Sequence, residues 1–120
     1  MGKYVDGFVL PIAKDNVEKY RELAQRAGAV FKEHGALEFH ECVGDDLEHE
    51  GMFSFKTAAG AGEDETVMFS WVVYESREHR DRVNELVMND PRLKADMEAS
   101  KDLFDFKRMA YGGFKTLVTL

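Results

Sequence analysis

Glu38, His40 and Cys42 occupy alternate positions of one short run, Ala36 to Val43. On an extended strand all three share a face. That arrangement offers two kinds of chemistry: part of a soft-metal site, or a thiol–imidazole pair with Cys42 as nucleophile. The spacing argues against both. Side chains two positions apart on a strand sit ~7 Å from each other, too far to share a tetrahedral ion unaided. No cation stands near Cys42 in sequence to activate its thiol. A polar strand face, solvated or turned to an interface, accounts for the same triplet, and no metal site is assigned.

Asp6 is a second candidate, because it interrupts an otherwise apolar strand pattern. A buried carboxylate must be hydrogen-bonded, paired or shifted in pKa. It could serve as a general base or ligand anchor, with His40 as the other candidate base. It could equally be held in an ion pair, for which Arg108 is the available partner, and the ion pair is preferred. Phe8, Trp71, Tyr111 and Phe114 could wall a flat pocket between sheet and helices, with Asp6, His40 and Arg108 as its polar groups. Each aromatic taken alone fits ordinary core as well. His34 and His79 fall at helix ends and are expected at the surface. There is no phosphate-cradling glycine loop, no nucleotide fingerprint, no cysteine pair and no serine elbow. The common cofactor-dependent classes are thereby removed, and no cofactor is expected.

These side chains must be placed by the elements that carry them. Tyr4 to Leu10 alternates with period two and is expected to be a strand that ends at Pro11. Asp15 and Glu18 have capping-box spacing ahead of a helix running to about His34, with Val17, Tyr20, Ala24, Ala27 and Phe31 as its buried stripe. Gly28 lies inside that helix, where close packing on the sheet would explain it and a merely tolerated glycine would do so equally, and Gly35 suits a left-handed cap. Ala36 to Val43 is the second strand: Leu37, Phe39, Glu41 and Val43 share the face opposite the polar triplet. Residues 44–64 form a long acidic connection holding Met52, Phe53 and Phe55, which should pack down, part of it as an extra strand.

Thr66 to Tyr74 is apolar on both faces and so belongs at the centre of the sheet. Ser76 caps a helix to about Met88, with Val83, Leu86 and Val87 inward. Asp90-Pro91 restarts helix, anchored by Leu93 and Met97. Lys107 to Val118 is the last strand, and Gly112-Gly113 marks a bulge or a close approach within it.

The order strand–helix–strand–strand–helix–strand is that of an α+β, ferredoxin-like βαββαβ domain spanning residues 1–120, with a four-stranded antiparallel sheet. Right-handed crossovers put both helices on one face. The other face keeps large apolar residues whichever parity is chosen, a patch too large to stay wet on a monomer. A second copy packed sheet to sheet is the economical cover, so a homodimer is expected. The alternative is that the 44–64 loop folds over the face.

The chain has 120 residues, 44% of them hydrophobic, enough to bury a core without staples. A net charge of -7 argues against non-specific binding to nucleic acid or anionic membrane. One cysteine precludes an internal disulfide and fits a reducing compartment. No signal core and no run near ~20 apolar residues is present, so a cytoplasmic location is expected.

Several strings carry a family resemblance: Tyr4-Val5-Asp6-Gly7-Phe8-Val9, Glu41-Cys42-Val43-Gly44-Asp45-Asp46, Glu63-Asp64-Glu65-Thr66-Val67-Met68-Phe69-Ser70-Trp71, Val87-Met88-Asn89-Asp90-Pro91-Arg92 and Lys107-Arg108-Met109-Ala110-Tyr111-Gly112-Gly113-Phe114. Spanning nearly the whole chain, they resemble the YbaA-like family of small bacterial proteins of unknown function, within the dimeric α/β-barrel superfamily. The resemblance implies a dimeric α/β barrel. It implies no reaction, because the family has no catalytic motif to carry over. The wider superfamily includes cofactor-free oxygenases, haem-dependent enzymes and degradative isomerases, and fold alone does not choose among them. The expectation is a homodimer that binds a small, partly apolar molecule between sheet and helices, with cofactor-free oxygenation or isomerisation as the superfamily analogy. The alternative is a non-enzymatic interaction or regulatory protein that uses its acidic 44–64 loop.

Overall fold

A computed structural model describes residues 2–120. The chain runs β1 (Tyr4–Ala13), a 3-10 turn (Lys14–Asn16), α1 (Val17–Glu33), β2 (Glu38–Val43), α2 (Phe55–Ala59), β3 (Glu65–Tyr74), α3 (Arg77–Met88), α4 (Pro91–Ala99), a second 3-10 turn (Phe106–Arg108) and β4 (Ala110–Lys115). The strands form one antiparallel sheet in the order β2-β3-β1-β4. This is the ferredoxin-like topology, in which both crossover connections lay their helices on the same face.

Strand alternation decides what those helices cover. Asp6, Leu10 and Ile12 of β1 and Met68, Ser70, Val72 and Tyr74 of β3 are buried. Val72 and Tyr74 pack with Val30 and Phe31 of α1, Val83 and Val87 of α3 and Leu93 of α4. Leu10, Ile12 and Met68 pack with Tyr20 and Ala24 of α1. α1 packs closely on β2 at Gly28: a Cβ there would lie 2.7 Å from the Phe39 ring, so a larger residue would force that ring or the helix to shift. Gly35 closes α1 in the left-handed conformation, φ +115°, while the Ala36 N–H donates to the Phe31 carbonyl at 3.0 Å. Ser76 and Asp90 cap α3 and α4 as their positions suggest.

Several local expectations are corrected. β1 continues through Pro11 to Ala13, because β4 pairs with β1 only as far as Val9. Beyond that point β1 is an edge on one side, where a missing N–H costs no ladder bond. Asp15 and Glu18 form no capping box: a 3-10 turn precedes α1, and Glu18 pairs with Arg21 at 3.0 Å. Part of the 44–64 connection is the short helix α2, capped by Ser54, and not a strand. Leu86 is exposed, turned away from Val83 and Val87. β4 is shorter than its pattern, and its register across Gly112-Gly113 is unbroken. No bulge forms there. The Tyr4 hydroxyl occupies the space a Gly113 side chain would need.

The face away from the helices carries Val5, Gly7, Val9, Phe69, Trp71, Ala110, Gly112 and Phe114, which line a shallow apolar hollow of about 640 Å³. α2 packs on one end of this face, stacking Phe55 on Phe69 with ring centroids 6.0 Å apart. Val67 is sealed at 2% exposure, yet Phe69 stays 43% and Phe114 63% exposed. The long loop thus covers part of this face and leaves its centre open. Within the described residues, no helix is long and apolar enough to cross a membrane.

Candidate functional site

One row of paired residues crosses all four strands on the helix side: Glu41 opposite Ser70, Ser70 opposite Phe8, Phe8 opposite Tyr111. This row floors a cavity of about 280 Å³ between sheet and helices. α1 supplies part of the roof with Leu23, Ala27 and Phe31, α3 with Asn84 and Met88, and α4 with Leu93 and Met97. Phe104, Phe106 and Met109, from the segment leading into β4, line the remaining side, which stays partly open with Phe106 and Met88 about half exposed. The walls are mostly apolar, aromatic and methionine side chains together with aliphatic ones, and Glu41, Ser70 and Asn84 are among the few polar groups, the usual make-up of a small-molecule site.

Glu41 is the carboxylate that touches this cavity. The Tyr20 hydroxyl donates to its Oε1 at 2.9 Å. Burial pushes the Glu41 carboxyl above its ordinary pKa, and the hydrogen bonds from Tyr20 and Ser70 only partly offset that. The Tyr20 phenol is pushed up too, first by burial and then by the neighbouring Glu41 charge, and so it stays a donor. Glu41, Tyr20, Ala24 and Phe39 also line an outer groove of about 710 Å³ between α1 and the edge strand β2. Glu41 therefore stands where this groove meets the inner cavity.

Asp6 lies one row further along the sheet and is 1% exposed. Tyr111 donates to its Oδ2 at 3.1 Å, and the Asn84 amide lies 3.4 Å from the same oxygen. Its cation is Arg80 of α3, 3.5 Å from Oδ1, which makes no hydrogen bond of its own. Arg80 also donates to the Tyr111 hydroxyl at 2.8 Å and the Tyr4 hydroxyl at 3.2 Å, and sits 5.0 Å above the Tyr4 ring. Tyr74 donates to the other end of the Asn84 amide at 3.2 Å. Burial raises the Asp6 pKa against the opposing pull of Arg80. Asn84 and Tyr111 stand between this network and the cavity, and Asp6 itself does not line it.

The candidates named by spacing are thus divided. Phe8 and Tyr111 line the cavity, their rings 4.9 Å apart. Trp71 and Phe114 lie on the opposite side of the sheet, and His40 stacks on Trp71 there at 4.6 Å. Arg108 does not reach Asp6. It grips Glu65 through two bonds of 2.9 and 2.8 Å and the Gly60 carbonyl at 2.6 Å. Those bonds to Arg108, with a further one from the Gly62 N–H, hold the Glu65 carboxyl down at about 2. Asp6 pairs with Arg80 because α3 crosses directly above it, a contact 74 residues apart that strand parity alone does not reveal.

Among the described residues, no three His, Cys, Asp or Glu side chains converge on a metal position. Glu38 and His40 bond each other at 2.9 Å, and Cys42 is exposed. His34 and His79 are half-buried parts of helix ends: His34 Nε2 lies 2.9 Å from Asp90 Oδ2, and the Glu75 N–H donates to His79 Nδ1 at 3.0 Å. Glu41 and Tyr20 were within reach of sequence reasoning. Glu41 shares its strand face with Phe39 and Val43, the same acid-among-apolars signal that singles out Asp6, and Tyr20 belongs to the buried stripe of α1. Arg80 and Asn84 carry no such mark, since they flank the apolar stripe of a strongly charged helix.

The chain matches the family model described as "Protein of unknown function (DUF1428)" over residues 3–106. It is 45% identical over 116 residues, 97% of each chain, to the "Uncharacterized protein YbaA" of Escherichia coli strain K12, and equally so to that of Shigella flexneri. Among solved structures, the cofactor-independent oxygenase SnoaB from Streptomyces nogalater superposes with a TM-score of 0.64 at 13% identity, covering 100% of this chain and 98% of that one. A NIPSNAP family protein of unknown function from Agrobacterium tumefaciens gives 0.60 at 13%, covering 96% and 88%. A dimeric ferredoxin-like protein of unknown function from Thermobifida fusca gives 0.55 at 10%, covering 97% and 93%. Identities this low establish the shared fold alone. With a family model spanning residues 3–106 and a relative 45% identical across 97% of the chain, the protein belongs to the DUF1428 family.

Proposed function

We propose that the protein is a cytosolic homodimer, paired through its open sheet faces, in which each subunit binds a small, partly apolar molecule in the cavity between sheet and helices. The cavity carries this reading: about 280 Å³ of space, walled by aromatic and methionine side chains, with one carboxylate at its edge. The apolar centre of the opposite sheet face supports pairing, and one neighbour in fold is described as dimeric. Cofactor-free oxygenation or isomerisation is the chemistry suggested by fold analogy, through SnoaB. In that case Glu41 is the group placed to move a proton, because it touches the cavity while Asp6 is sealed and His40 lies across the sheet.

A thermal-shift screen against apolar metabolites tests this. A true ligand at 100-fold excess over its Kd stabilises by about 2.7 kcal/mol. Ala27→Phe, which fills the cavity from α1, abolishes that shift while unfolding remains cooperative. An undiminished shift in this variant places the ligand elsewhere.

Met52 and Phe53, at 74% and 77% exposure within the acidic loop, favour a second reading. Here the loop engages another protein through these two side chains, and the cavity is only loosely packed core.

A further inference from the structure

We propose that the ligand of this cavity is an uncharged aromatic alcohol whose hydroxyl donates to the Glu41 carboxylate. The inference rests on the cavity-binding reading and adds the chemical class.

Charge comes first. The lining holds one carboxylate, Glu41, and no Lys, Arg or His. An anionic ligand would enter beside a like charge with no cation in the inner lining to offset its desolvation, which disfavours carboxylates and phosphates there.

Hydrogen-bonding capacity comes next. The other polar groups around the cavity are already engaged. The Tyr111 hydroxyl donates to Asp6 and accepts from Arg80. The Asn84 amide accepts from Tyr74 and donates to Asp6. The Tyr20 hydroxyl donates to Glu41. A carboxylate has about four lone-pair sites, and Tyr20 and Ser70 take two of those on Glu41. What remains is acceptor capacity, so the ligand must bring a donor. Of a primary ammonium's three N–H donors the two open sites on Glu41 would take two, whereas a hydroxyl needs only one. Burial already raises the Glu41 pKa, which favours close sharing of a proton with such a donor.

Shape completes the case. Phe8, Phe31 and Phe39 present ring faces or edges, and Met88, Met97 and Met109 supply thioethers that pack well against aromatic rings. A flat apolar body fits between them with its polar end at Glu41.

Four probes titrated calorimetrically into the full-length protein at pH 7 test the assignment: naphthalene, 1-naphthol, 1-naphthoate and 1-naphthylmethylamine. A hydrogen bond to a charged acceptor predicts that naphthol binds at least about tenfold more tightly than naphthalene. Naphthoate should bind more weakly than naphthalene. Glu41→Gln, which keeps an acceptor for Tyr20, should shrink the naphthol advantage to less than about threefold and leave naphthalene affinity within about twofold. Equal binding of naphthol and naphthalene, or tightest binding of the anion or the amine, overturns the inference and leaves cavity binding intact. Binding by none of the four overturns the cavity reading itself and this inference with it.

Discussion

A chain carrying Trp71→Glu should sediment as a folded monomer near 13.7 kDa, while the proposed pairing predicts twice that mass for the unaltered protein. Trp71 lies at the middle of the open sheet face, opposite Gly7 on β1 and His40 on β2, with Phe69 and Phe114 beside it. The β1, β3 and β4 part of this face is apolar, β2 adds His40 and Glu38 along its edge, and the loop helix α2 covers the face only at the Phe55–Phe69 end. Pairing two such faces removes them from water. A stable two-fold interface needs about 800 Å² from each partner, which one face of a four-stranded sheet can supply. A glutamate at its centre would be desolvated on both sides, with its neighbour His40 already bonded to Glu38, at a cost of about 4 kcal/mol or more. That corresponds to a roughly thousandfold or greater rise in the dimer Kd. The monomer should keep its far-ultraviolet spectrum, because the substituted side chain lies opposite the helix-side core. A wild-type monomer at high concentration, or an undissociated variant, contradicts the proposed assembly.

Removing Arg80 has the second large effect, and its size depends on pH. Asp6 is 1% exposed, and Arg80, with a side chain 14% exposed, is its counter-charge. Taking away one member of a buried pair leaves an uncompensated charge, which costs about 3–5 kcal/mol. Arg80→Ala should therefore lower stability by that amount at pH 7. Burial holds the folded-state pKa of Asp6 above its ordinary 3.8 even with Arg80 present, and without Arg80 it climbs further. A raised carboxyl pKa means the folded state binds the proton more tightly than the unfolded state. Its stabilising contribution is complete below the unfolded pKa and is lost as pH rises through the folded one. The variant should thus lose much less stability at pH 4 than at pH 7. Asp6→Asn added to Arg80→Ala should recover part of the loss at pH 7. Urea denaturation at both pH values measures this. An equal deficit at both, with no recovery in the double variant, would remove Asp6 and Arg80 as a coupled pair.

The architecture was legible because every long element announces itself by period. Glu65–Tyr74 and Val17–Glu33 fall within two residues of their pattern-based bounds, and Ser76, Gly35 and Asp90-Pro91 punctuate the chain where they should. The acidic loop was harder to read, since five helical residues between Ser54 and Gly60 are too few to show a period. The site was half legible. Parity puts Asp6, Phe8 and Tyr111 on strand faces, and the structure shows those faces under the helices. Parity also separates Trp71 from Ser70 and Val72, but nothing local says which set meets the helices when both are apolar. By spacing alone, therefore, Trp71 and Phe114 fall together with residues that the fold puts on the other side of the sheet. Arg80 and Arg108 are a further lesson. A carboxylate's partner depends on which helix crosses above it, and the crossing is a property of the whole fold.

The cavity reading can be tested directly by methyl NMR of protein labelled at its methionines. Met88, Met97 and Met109 line the cavity, and Met52 sits in the exposed loop. Titration with naphthalene should shift the first three methyl signals together along one saturable curve and leave Met52 in place. Movement of Met52 alone, or stationary signals from all three cavity methionines at saturating probe, would contradict a ligand site between sheet and helices.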